Sequence, residues 1–210
     1  MITIAIAKGR MLESALSLLA RAGIRLQEDG LNSRRLALMD ESGQYRFIFV
    51  KPADVPVYVE HGIADCGVVG RDVLLETQAD LLLPLELGIC RCRIVVAAVD
   101  ADAMSKVQGM IRVATKYSQI ARAHFGSRGI PVEIIQLSGS VELAPALGLA
   151  DMIVDLVETG ITLRENGLTV VDEIAESTGR LVVNRASYQL KAEEVARLVN
   201  ALDAALNGSR

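Results

Sequence analysis

Asp155, Glu158, Thr159, Gly160, Ile161 and Thr162 stand close enough together in the sequence to hold a sugar phosphate. They lie in the run Asp151–Leu168, DMIVDLVETGITLRENGL. Met152 to Val157 reads as a buried strand that stops at Glu158-Thr159-Gly160, and a short helix over Thr162 to Asn166 is expected next. Gly167 can close that helix in the left-handed conformation. A strand that feeds a glycine turn and a helix start aims unpaired backbone N–H groups, and the positive end of the helix dipole, at one point. That point suits a phosphate, and Thr159 and Thr162 can add hydroxyl donors. Asp155 and Glu158 at the strand's end can accept hydrogen bonds from sugar hydroxyls. Many strand–glycine–helix junctions bind nothing, but two carboxylates and two threonines around one glycine favour a bound ribose 5-phosphate.

Other junctions carry polar residues of the same kind. Lys8-Gly9-Arg10 falls between the first strand and the first helix, where open α/β sheets bind ligands. Two cations flanking a glycine suit a pyrophosphate and equally suit a solvated basic turn. Ser33-Arg34-Arg35 can bring a second arginine to the same mouth or simply expose charge. In Lys51–Asp72, Gly67 and Gly70 allow the backbone to approach a ligand, with Arg71 or Asp72 at a helix start. Thr115-Lys116-Tyr117 and Ser138-Gly139-Ser140 occupy equivalent junctions further on, with Glu142 close behind. Each is weak evidence alone, and together they favour an active cleft. No G-x-S-x-G motif occurs, and neither His61 nor His124 neighbours a plausible nucleophile. The expected reaction therefore proceeds by positioning and charge stabilisation.

These junctions need strands and helices to place them. Strands are expected at Ile2–Ala7, Arg35–Met39, Arg46–Val50, Asp65–Val69, Ile111–Ala114, Val132–Leu137, Leu168–Ile174 and Arg180–Asn184. Helices are expected at Met11 to Ala22, Pro52 to His61, Arg71–Thr77, Ser118–Phe125, Val141–Leu147 and Ala192–Leu206. Leu87 to Val99 is too long for one ordinary strand and reads as a connection into a second unit. The fold class is α/β, with two lobes of mostly parallel sheet flanked by helices and a cleft at the strand ends. The lobes are expected at 1–88 plus 181–210 and at 89–180.

Composition fits this architecture. Hydrophobic residues make up 51% and aromatics 3%, as for a sheet covered on both faces by Ala, Val, Leu and Ile. A net charge of −4 gives no long-range attraction to nucleic acid or an anionic membrane, so an anionic ligand needs local cations. No stretch approaches the roughly 18–20 apolar residues of a membrane span. MITIAIA, followed at once by Lys8, does not read as a signal peptide, and a cytoplasmic protein is expected. Cys66, Cys90 and Cys92 fit reduced core or site-lining residues; on one strand, Cys90 and Cys92 would share a side. With two histidines in the chain, no metal site built from protein side chains is expected.

At this point the sequence closely resembles the catalytic subunit of ATP phosphoribosyltransferase in its short form. The matching segments are Ala7-Lys8-Gly9-Arg10, DVPVYVEHGIADCGVVGRD over Asp54–Asp72, Ala114-Thr115-Lys116-Tyr117, Gly139–Pro145 and Asp151–Leu168. The resemblance implies a fold like type II periplasmic binding proteins, and a reaction joining ATP to phosphoribosyl pyrophosphate in histidine biosynthesis. It implies that Glu158–Thr162 holds the 5-phosphate and that Asp155 and Glu158 meet the ribose hydroxyls. Lys8, Arg10 and Arg34 would neutralise the leaving pyrophosphate with Mg2+ carried by the substrates. Gly70, Arg71, Asp72, Thr115–Tyr117, Ser138–Ser140 and Glu142 would line the cleft and can meet ATP. Because the chain stops soon after Leu206, the resemblance also implies a histidyl-tRNA synthetase-like regulatory subunit in trans. Catalytic dimers within a hetero-octamer are the assembly it implies. Two rivals remain: a non-catalytic binding module of the same fold, and a salvage phosphoribosyltransferase acting on a free base or orotate.

Overall fold

Ile2 to Ala7 are buried at every position, as in a strand covered on both faces, and they form β1 (Ile2–Ala7). The computed structural model describes residues 1–27 and 37–208. After β1 come α1 (Arg10–Arg21), β2 (Ala37–Met39), β3 (Tyr45–Val50), α2 (Asp54–Glu60), β4 (Cys66–Gly70), α3 (Arg71–Thr77) and β5 (Leu82–Glu86). β6 (Cys92–Ala98), β7 (Ile111–Thr115), α4 (Ser118–Ser127), β8 (Val132–Gln136), α5 (Leu143–Ala146), β9 (Met152–Val157), α6 (Ile161–Glu165) and β10 (Thr169–Ser177) follow. β11 (Gly179–Val183), α7 (Arg185–Leu190) and α8 (Ala192–Asn207) end the chain's regular structure. Among the described residues no helix is long and apolar enough to cross a membrane.

Two units result: Met1–Cys90 with Thr178–Arg210, and Arg91–Ser177. The first holds a six-stranded sheet in the order β2-β3-β1-β4-β11-β5. Its core joins Ile4, Ile6, Leu19, Phe47, Leu181, Leu198 and Leu202. α1 and α8 reach it through one apolar stripe each, including the Val195, Leu198 and Leu202 positions of α8. The second unit holds the five-stranded sheet β10-β6-β9-β7-β8. Alternation in β6 divides its core between two faces, with Ile94 and Val96 beside Phe125 and Met152 on one. Val95 and Ala97 join Ile153, Val157 and Leu163 on the other.

Strand direction differs from the expected mostly parallel arrangement. β1 pairs in parallel with β3 and β4, and β7 with β8 and β9. The remaining pairings are antiparallel: β2 with β3, β11 with β4 and β5, and β6 with β9 and β10. Both sheets are therefore mixed. β11 enters the first sheet between β4 and β5, so a chain segment returning from the second unit runs against its neighbours. Local periodicity carries no record of strand direction.

Leu87–Val99 carries the chain from the first unit to the second, as expected, and β6 begins within it at Cys92. Two local expectations change. Cys90 has φ 53 and lies outside the strand, its Sγ 3.5 Å from Arg10 O, whereas Cys92 is buried with Sγ 3.7 Å from Ser177 O. All three cysteines are free thiols, and the expected same-side pair on one strand does not form. Gly67 serves packing rather than ligand approach. A Cβ there would meet Val55 Cγ1 at 2.7 Å and Val59 Cγ2 at 2.9 Å, so its bare backbone is what lets α2 lie on β4.

One buried carboxylate ties the first unit together. Asp65, 5% exposed, accepts hydrogen bonds from Thr3 N at 2.9 Å, Ser187 Oγ at 2.7 Å and Lys191 Nζ at 2.8 Å. Burial alone would raise its pKa, but the bonds from Lys191, Thr3 and Ser187 outweigh that and hold it below the usual carboxylate range. A depressed folded-state pKa contributes stability that is present above the unfolded value and lost as pH falls through the folded one. Asp65→Asn should cost about 2–4 kcal/mol at neutral pH. Urea unfolding should show that gap to the parent protein closing below about pH 4, near the unfolded carboxylate pKa; a gap independent of pH would contradict the assignment.

Candidate active site

Parallel strands finish at one edge of a sheet, and the polar junctions are found there. In the first unit Lys8-Gly9-Arg10 follows β1, and Lys8 N donates to Val50 O at the end of β3 (2.8 Å). Gly9 has φ 88, which allows the chain to turn straight from β1 into α1 without a side-chain cap. Lys8, Gly9 and Arg10 are all exposed. Gly70 ends the neighbouring β4; Arg71 N donates to Thr178 O at 3.0 Å, and the Asp72 side chain is buried at the start of α3. Arg34, with Ser33 and Arg35, lies outside the described residues.

In the second unit β7, β8 and β9 finish side by side. β9 gives way to Glu158-Thr159-Gly160, and α6 starts at Ile161, one residue before the expected Thr162. Gly160 is in the left-handed region (φ 75), and a Cβ would lie 3.2 Å from Arg164 Nη1. Gly167 also has positive φ (69), as expected for the closing residue. The first-turn amides of α6 have no intrahelical acceptor. Among the described residues Ile161 N meets Thr159 Oγ1 at 3.5 Å, the limit of a hydrogen bond. Thr159, Ile161 and Thr162 are exposed, so the turn is open to a ligand. Arg164, which the sequence analysis passed over, donates to Thr159 O at 3.3 Å and props the turn from behind. Its signal was its place four residues after Gly160, one helical turn on.

Beside this turn lies a half-buried carboxylate. Asp155 is in β9, its side chain 15% exposed, with Lys116 Nζ 3.6 Å from Oδ1. Burial pushes its pKa up; Lys116 and the Leu156 amide oppose that, and Glu142 adds to it. Glu142 precedes α5, and Ser138, Gly139 and Ser140 are exposed on the loop before it. Lys116 therefore belongs to the site's charge balance.

Thr115 and Tyr117, both expected as lining residues, are buried instead. The Thr115 hydroxyl donates to Val154 O at 2.6 Å and accepts from Tyr117 N at 2.8 Å. They brace the junction, and of the three Lys116 alone is exposed. Among the described residues no three His, Cys, Asp or Glu side chains come together as a metal site. The exposed glycine turn, with the Asp155–Lys116 pair beside it, fits a sugar-phosphate ligand and a reaction driven by alignment.

Comparison with known proteins points the same way. A family model described as ATP phosphoribosyltransferase matches residues 51–204. The ATP phosphoribosyltransferase of Sorangium cellulosum is 50% identical over 208 residues, covering 99% of this chain and 97% of that protein. A solved ATP phosphoribosyl transferase (HisG:HisZ) complex from Thermotoga maritima matches with a TM-score of 0.86 at 35% identity, covering 99% of this chain and 100% of that one. The Bordetella pertussis BvgS VFT2 domain matches at a TM-score of 0.58 and 13% identity, covering 100% of this chain and 93% of that one, which speaks for the fold alone. With a family match over most of its length and a relative half identical from end to end, the chain belongs to the ATP phosphoribosyltransferase family.

Proposed function

We propose that this chain joins ATP to phosphoribosyl pyrophosphate, giving N1-(5-phosphoribosyl)-ATP and pyrophosphate, the first step of histidine biosynthesis. The reading rests on one observation above the others: an exposed glycine turn at Glu158–Thr162, opening a helix, beside the half-buried Asp155 carboxylate. The turn takes the donor's 5-phosphate, while Asp155, and Glu158 beside it, accept from the ribose hydroxyls. Adenine N1 carries a free lone pair, so it attacks C1 without losing a proton first. The N1–C1 bond forms as the C1–O bond to pyrophosphate breaks, and that electron pair leaves with the pyrophosphate. Two tasks remain for the protein: alignment of N1 with C1, and stabilisation of the charge that separates.

Lys8, Arg10 and Arg34 are the cations assigned to the leaving pyrophosphate. Mg2+ bound to the substrates' phosphates would shield their charge; Asp155, Glu158 and Glu142 are the hard-oxygen side chains that could face it at the donor edge. Gly70, Arg71, Asp72, Lys116 and the Ser138–Ser140 loop are assigned to the lining that meets ATP. The Thermotoga maritima complex supports a regulatory partner in trans, for which a histidyl-tRNA synthetase-like subunit in a hetero-octamer is the proposed form. The proposed compartment is the cytoplasm.

Incubation with ATP, phosphoribosyl pyrophosphate and Mg2+, with the regulatory partner present, should yield the N1 adduct by absorbance and mass. Binding of both substrates with no product would make the chain a binding module. Turnover of free adenine, guanine or orotate in place of ATP would make it a salvage enzyme. Replacing both Thr159 and Thr162 by Val should raise KM for phosphoribosyl pyrophosphate by about 10- to 100-fold, as for one or two lost hydrogen bonds to a charged group. KM for ATP should change far less, and equal loss for both substrates would remove the phosphate assignment. Arg10→Ala should lower kcat more than it raises either KM, since the charge it meets develops only in the transition state; steady-state kinetics would separate that from plain substrate binding.

A further inference from the structure

Asp155 is costly where it stands. Its Oδ1 is buried and takes no hydrogen bond from any described residue, so the 15% exposure of the side chain lies on its other atoms. Among the described residues the cation paired with it is Lys116, at 3.6 Å, a distance for an ion pair but too long for a hydrogen bond. Lys116 is itself held in place. Its Nζ sits 5.0 Å from the centre of the Tyr117 ring, a cation–π distance. Tyr117 is buried, its amide donates to Thr115 Oγ1, and Thr115 Oγ1 donates to Val154 O, the residue before Asp155. The contacts thus run from β9 through the end of β7 and back to β9 at the next residue. The ammonium itself stays half exposed, its side chain 43% accessible, so its place is set by Tyr117 and Asp155 and not by burial.

We propose that Lys116 is a positioning residue for phosphoribosyl transfer, its ammonium keeping the Asp155 carboxylate ionised with Oδ1 turned inward and the other oxygen free to take the ribose hydroxyls. The inference rests on the reading of this edge as the donor site and adds the device that makes its carboxylate usable. A neutral Asp155 would compete as a donor with the hydroxyls it must accept from. An ionised one places negative charge beside the ribose as C1 becomes cationic. The other groups bearing on Asp155 are the Leu156 amide, which helps Lys116, and Glu142, which opposes it.

The test is the pH profile of kcat/KM for phosphoribosyl pyrophosphate in the active assembly, for the parent chain, Lys116→Met, Lys116→Arg and Asp155→Asn. Loss of the ammonium leaves burial and Glu142 unopposed by any side chain, so the acid limb should move to higher pH in Lys116→Met. Each unit of movement lowers kcat/KM on the acid side about tenfold. KM for ATP should stay within about twofold, and Lys116→Arg should return the limb towards its original place. A limb unmoved in Lys116→Met, with Asp155→Asn abolishing it, overturns the role of Lys116 and leaves the donor site standing. If Asp155→Asn keeps both the limb and the donor's KM, the donor-site reading itself fails. A loss in Lys116→Met that is uniform across pH and tracks a lower melting temperature would also overturn the proposal, by making the lysine merely structural.

Discussion

A parallel ladder ends all of its strands at one edge, and here that constraint is imposed by the β1–β3, β1–β4, β7–β8 and β7–β9 pairings. Helices that follow such strands begin at the same edge, so their unpaired first-turn amides gather there. Lys8–Arg10 and Gly70–Asp72 share an edge of the first sheet for this reason. Lys116, Ser138–Ser140 and Glu158–Thr162 share one in the second. The antiparallel strands complete the same edges. Gly179 of β11 lies opposite Gly70, and the Arg71 amide is taken up by Thr178 O rather than left over. Residues distant in the sequence are thereby brought into one polar neighbourhood within each unit.

The charge of that neighbourhood has to be made locally, because the chain as a whole carries −4. The second unit sets the Asp155 carboxylate beside the exposed Glu158–Thr162 turn, with the Lys116 ammonium 3.6 Å from it. The balance at Asp155 is close: burial and Glu142 favour the neutral acid, Lys116 and the Leu156 amide the carboxylate, and burial has the larger effect in the protein without its substrates. Contrast Asp65, the less exposed of the two, where three donors within 2.9 Å reverse the outcome. One carboxylate is saturated and structural. The other is neutralised by charge yet left short of hydrogen bonds, which suits a group that has still to meet a ligand.

Much of this was legible beforehand because it is local. The β9–Gly160–α6 turn, the basic Lys8–Arg10 junction and the apolar stripe of α8 follow from residue types at fixed spacings. Pro84 in Leu82–Glu86 and the exposure of that strand concealed β5, since an edge strand with a proline does not alternate cleanly. α7 was concealed by its brevity; its signal is the Asn184 cap, whose side chain accepts from Ser187 N at 2.9 Å. Long-range relations were out of reach. Nothing near Thr115 reveals that its hydroxyl spans to Val154, or near Lys116 that its partner lies 39 residues on. Gly67 shows the same limit, being a glycine in a polar-looking segment whose reason is two valines of a helix packed over it.

Three groups with acid–base or nucleophilic potential, Cys66, His124 and Cys90, are committed elsewhere. Burial, with Asp65 adding to it, pushes the Cys66 thiol up to about 12, so it stays protonated and inert. His124 is held low by burial and by Arg128 against the pull of Asp172, to which its ring bonds at 3.0 Å. It packs edge-on against Phe125 in the core of the second unit, away from the strand-end turns. Cys90 faces the backbone of α1. A nucleophile that already owns its lone pair asks for none of these. What it asks for is a fixed ribose and a charge environment set before the bond begins to break. The strand ends of the second unit hold one charged pair, Asp155 and Lys116, beside the Glu158–Thr162 turn, and on the proposed reading that pair sets the field without any proton changing hands.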